Sequence, residues 1–161
     1  GRNRVNFNLC GQFCVAALCG VDVIPLLKQW YTTGLARAKT VLENDRGTVI
    51  YDLQNMLSMY NVKSEVFRPE PSIAPATPEY LEKMLASGKK AIIGTGITSK
   101  GEASYNGHIR HWLVLEDIVR MGNGGWVRVY NPFLNQEEVY PHRNLFDTGV
   151  ASNLGLWVDA R

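Results

Sequence analysis

Apolar positions change their spacing along this chain. Up to about residue 60 they recur every three or four residues; beyond Gly88 they run together or alternate with polar ones. The first pattern predicts helices. "FNLCGQFCVAALCG" reads as an extended entry followed by a helix from about Cys10, with Gly20 as its stop. Asp22 is placed to cap "VIPLLKQWYTTG", with Pro25 early in that helix and Gly34 as its C-terminal punctuation. Thr48 is placed to cap "VIYDLQNMLSMY", whose Leu53, Met56, Leu57 and Tyr60 share a face.

The second pattern predicts strands. "SEVFR" is a short one. A stiff loop, "PEPSIAPATP", follows, and Thr77 and Pro78 open a further helix ending near Gly88. "KKAIIGTGI" reads as a buried strand. "HWLVLEDIVR" and "WVRVYNP" read as a hairpin through "MGNGG", "QEEVY" as a short strand, "PHRNLF" as a turn or short helix, and "LGLWVD" as the closing strand. Helices first and an antiparallel sheet second predict an α+β architecture. The 161 residues suit one domain, 1–161, with a sizeable core.

Composition narrows the function. Hydrophobic residues make 45% and charged residues 20%, as in an ordinary globular protein. A net charge of +2 with no basic run gives no reason to expect nucleic acid as a partner. No apolar stretch approaches a membrane span, and no secretory leader is visible. Gly94-Thr95-Gly96 lacks the phosphate-loop pattern, and the carboxylates show no pairing suited to glycoside hydrolysis.

The chemistry lies in the cysteines. All three, Cys10, Cys14 and Cys19, fall in one helix. Cys10 and Cys14 are a helical turn apart, which rarely suits a disulfide, and no histidine or paired C-x-x-C is near enough for a metal site. No cofactor is expected. Cys14 and Cys19 read as small buried hydrophobes. Cys10 stands where the helix begins, and the macrodipole and unpaired N–H groups there are expected to lower its pKa. Its own N–H is placed to donate to an oxyanion, and Gly11 leaves room for a substrate carbonyl.

A nucleophilic thiol needs a base. His111 opens a strand and shares a face with Leu113 and Leu115; Asn131 closes the next strand and shares a face with Val127 and Val129. A base and its orienting amide on neighbouring strands meet the needs of imidazole catalysis. His108 is offset by an odd number and falls in a glycine-containing loop, and His142 reads as a loop residue.

This order resembles the papain-like cysteine peptidases. "CGQFCVAAL", "HWLVLEDI" and "VYNPF" are similar to segments of the bacterial double-glycine (bacteriocin-processing) peptidases. The resemblance implies a papain-like fold, with N-terminal helices packed on a C-terminal antiparallel sheet. It implies Cys10 as nucleophile, His111 as base and Asn131 as orienter. It differs at two points. Asn131-Pro132 stands for the family's Asp-Pro, and Arg4 stands where the family has an oxyanion glutamine. Asn3, Asn6 and Asn8 are the substitutes, with Asn6 the leading candidate, while Gln12 is expected to point elsewhere.

The function expected from this is a cysteine peptidase or amide hydrolase working through an acyl-thioester on a peptide or protein substrate. It would act in a reducing compartment, or as a secreted effector with free thiols. Two alternatives stand beside it: an acyltransferase of transglutaminase type with the same triad, and a non-catalytic peptide-binding domain.

Overall fold

The computed structural model describes residues 7–67, 78–95, 111–122, 124–132, 134–141 and 151–159. A short 3-10 turn, Phe7–Leu9, leads into α1 (Cys10–Cys19), α2 (Val23–Thr32), α3 (Ala36–Glu43) and α4 (Ile50–Met59). Then come β1 (Ser64–Phe67), α5 (Pro78–Ala86), β2 (Lys89–Thr95), β3 (His111–Met121), β4 (Gly124–Asn131), β5 (Gln136–Pro141) and β6 (Ala151–Asp159). The strands form a six-stranded sheet, order β1-β6-β2-β3-β4-β5, with every neighbouring pair antiparallel. The architecture is α+β.

Local details differ from the sequence reading. The entry over Phe7–Leu9 is a 3-10 turn and not an extended segment. Helix α3 occupies a stretch in which the spacing predicts no helix. Its residues are good helix formers, and it buries only Ala38 and Val41, so its apolar stripe is too narrow to read. Helix α4 is capped one residue later than expected. Val49 takes the N-cap position, and Asp52 accepts its N–H at 2.8 Å while pairing with Arg37 at 2.7 Å. The third-position carboxylate thus satisfies a helix-start N–H without help from Thr48.

Alternation sorts the sheet into two apolar faces. Ile92, Trp112, Val114, Leu156 and Val158 pack with Val15, Leu26, Trp30, Leu53, Met56 and Leu57 from the N-terminal helices. Ala91, Ile93, Leu113, Leu115, Val129 and Trp157 pack with Leu81 of α5 on the other side. Each fully buried Leu or Ile contributes roughly 1.5–3 kcal/mol, so both layers hold the sheet in place. Helix α5 is anchored at the Arg120 end of β3, where Arg120 pairs with Glu79 at 2.7 Å and also with Glu82. His111 lies at the opposite end of that strand. The β3–β4 turn places Met121 opposite Gly124, with Gly122 at φ 58, a left-handed conformation that glycine adopts at little cost. Among the described residues, no single helix is long and apolar enough to cross a membrane.

Candidate active site

The site is built from the start of one helix and the ends of two strands. Cys10 is the first residue of α1 and is buried. What brings the helix start so close to its neighbours is Gly11. A Cβ there would collide with Thr48 Oγ1 and Leu53 Cδ2. The glycine therefore makes room for α4 and its entry loop, not for a substrate carbonyl as the sequence suggested. Trp112 closes the other side by donating its indole N–H to the Thr48 carbonyl at 3.3 Å.

The polar surroundings of the Cys10 sulfur are backbone amides. The N–H groups of Trp112, Gly11 and Cys10 itself each favour a thiolate. Burial outweighs them, and the net effect raises the Cys10 pKa above its ordinary value. The expected lowering at a helix start is thus overturned. The amide contribution has the expected sign, but the loss of water around the sulfur is larger. The next turn is different. Cys14 is fully buried, and its thiol donates to the Trp112 carbonyl at 3.3 Å. Burial and then the neighbouring Cys10 push its pKa well up. Cys19, at the end of α1, is only half-buried, so it is less interior than the sequence indicated. The three cysteines form no disulfide.

His111 and Asn131 come together. The pairing of Leu115 with Val129 and Val114 with Tyr130 sets Asn131 diagonal to His111 on one face. His111 Nε2 lies 2.8 Å from Asn131 Oδ1. Both residues are buried. Burial pushes the His111 pKa down to about 4, against a smaller upward pull from Asn131. The imidazole is therefore neutral at neutral pH. The Asn131 amide N–H in turn donates to Glu138 Oε1 at 2.8 Å.

The Cys10 sulfur sits against the amide of Trp112, the residue after His111. Alternation assigns Trp112 to the α1 face and His111 to the α5 face. His111 is also the first residue of β3.

Asn6, the leading oxyanion candidate, lies outside the described residues, as do Asn3, Arg4, His108 and His142. Asn8 is committed elsewhere, because its amide donates to the Asp45 carbonyl at 2.7 Å. Gln12 is completely buried, with both amide atoms lacking a hydrogen-bond partner among the described residues. Glu138 was missed in the sequence, where "QEEVY" reads only as a strand. The usable signal was alternation across the short β4–β5 turn, which sets Glu138 opposite Val129 and diagonal to Asn131. No group of three or more His, Cys, Asp or Glu suited to a metal occurs among the described residues. No protein-family model matches the chain, and no curated protein matches it.

Proposed function

We propose that this chain is a cysteine-type hydrolase of papain-like fold that cleaves a peptide or other amide bond through an acyl-thioester on Cys10. The observation that carries the reading is the 2.8 Å hydrogen bond between His111 and Asn131, His111 being next in sequence to Trp112, whose amide meets the Cys10 sulfur. An amide oxygen only accepts, so Nε2 holds the ring hydrogen and Nδ1 of the neutral imidazole holds a lone pair. That lone pair is the base.

With thiol and imidazole both neutral at rest, proton transfer accompanies attack. Nδ1 takes the Cys10 proton, and the sulfur adds to the substrate carbonyl carbon. The resulting oxyanion is held by N–H groups at the start of α1 and by a side-chain amide such as Asn6. The imidazolium then gives its proton to the leaving amine. The C–N bond breaks, leaving the acyl group on sulfur. Water, deprotonated by His111, releases the acid and restores the thiol. Asn131 transfers no proton and keeps the ring in one orientation.

An activated ester tests this without knowledge of the natural substrate. Incubation with p-nitrophenyl acetate should acetylate Cys10, as read by peptide mass spectrometry, and His111→Ala should abolish the adduct. Equal acetylation of Cys10 in the His111→Ala protein would overturn the reading in favour of a binding domain. Adding an amine acceptor then separates hydrolysis, which yields acetate, from acyl transfer, which yields the acetamide.

A further inference from the structure

Glu138 accepts a hydrogen bond from the nitrogen end of the Asn131 amide. A carboxylate oxygen only accepts, and Glu138 Oε1 lies 2.8 Å from Asn131 Nδ2. With the donor end taken up in this way, the oxygen end faces His111 Nε2 at 2.8 Å. The sheet register supports this arrangement. Gln136 is directly opposite Asn131 and Glu138 opposite Val129, so Glu138 and Asn131 are diagonal neighbours on one face. His111, Asn131 and Glu138 therefore form one chain of hydrogen bonds across three adjacent strands.

We propose that Glu138 is a positioning residue for His111: it fixes the Asn131 amide, and through it the imidazole tautomer, and it requires an amide at position 131. This rests on the reading of Cys10, His111 and Asn131 as the site. Without Glu138, the amide can turn over and present N–H to Nε2. The ring hydrogen then moves to Nδ1, which can no longer accept the thiol proton. An aspartate at 131 would set two carboxylates within hydrogen-bond distance, where they repel or trap a shared proton. Asn131 thus stands where the resembling peptidases carry Asp because its neighbour on β5 is acidic.

The test uses the full chain and two readouts: nitrogen-15 NMR of the His111 ring at neutral pH, and the rate of Cys10 acetylation by p-nitrophenyl acetate. The wild type should show hydrogen on Nε2. Glu138→Gln keeps an accepting oxygen and should stay close to wild type in both readouts. Glu138→Ala should mix the tautomers and slow acetylation roughly ten- to hundredfold, the scale on which partners of an orienting group act. Asn131→Asp should fall similarly. Combining Asn131→Asp with Glu138→Gln should recover, because the introduced glutamine amide can donate to the introduced carboxylate. If Glu138→Ala does not fold, the Asn131→Asp single and double variants carry the test.

An unchanged ring signal in Glu138→Ala, or a double variant no better than Asn131→Asp, would overturn the proposal. The two readouts fail separately. A wild type that never acetylates, with a tautomer that still moves in Glu138→Ala, sinks the hydrolase reading and supports the positioning role.

Discussion

Cys10 and Cys14 stand one turn apart on α1, both buried and both against Trp112, yet their polar surroundings are opposite. The Cys10 sulfur meets N–H groups, from Trp112, Gly11 and its own residue. Cys14 meets the Trp112 carbonyl, to which its thiol donates, and the neighbouring Cys10 further disfavours its ionisation. The first turn of a helix has unpaired amides to offer a thiolate, and the second has none. Burial raises both thiols, but only at Cys10 does the backbone resist. The thiol proposed as nucleophile thus differs from its neighbour by its place along the helix, with the same residue type on the same helix face.

The largest test of that contrast is a pair of substitutions. Cys10→Ser should lower turnover by at least ~10³-fold, since removing a nucleophile removes the covalent route. Cys14→Ser should keep turnover within a few-fold, because a hydroxyl can still donate to the Trp112 carbonyl. Rates measured beside melting curves decide it, and matching losses in both variants would erase the distinction.

His111 undergoes the same desolvation with the opposite charge sign, and this makes stability depend on pH. Its pKa falls from the ordinary 6.5 to about 4 in the folded chain. Between those values the unfolded chain binds a proton that the folded chain refuses, so stability rises with pH there. The contribution is complete above 6.5, is lost as pH falls toward 4, and levels off below. It is worth about 3 kcal/mol. Denaturant unfolding of wild type and His111→Gln from about pH 7 to about pH 4 should show the wild type losing that much more.

Gly11 sharpens the comparison from the packing side. Gly11→Ala drives a methyl into Thr48 and Leu53 and should cost about 1–3 kcal/mol, in spite of alanine's better helix propensity. Adding Thr48→Ala should return part of that cost. Equal stability of wild type and Gly11→Ala would mean that this contact does not set the position of the helix start.

The smallest effect is an order of labelling. Iodoacetamide near pH 6 should reach half-buried Cys19 first, then Cys10, then Cys14. The Cys10 rate should climb with pH through the alkaline range, because its thiol is raised. Labelling of Cys14 ahead of Cys10 would contradict the protection assigned to the second turn.

The sequence alone determined the helix-then-strand order, the hairpin between β3 and β4, and the residues with which His111 and Asn131 each share a face of their own strand. These follow from local periodicity and strand alternation, which need no knowledge of what packs on top. Helix α3 escaped notice because a surface helix with few buried residues leaves little periodic signal. The role of Gly11 and the raised Cys10 thiol were decided by tertiary structure alone. Both depend on how closely Thr48, Leu53 and Trp112 approach, and so on how much water they exclude. Glu138 lies between the two classes, because alternation marks its face but not its partner. Its meaning comes from register across a turn, where a shift of one residue would put the carboxylate on the other face of the sheet and let the Asn131 amide turn over.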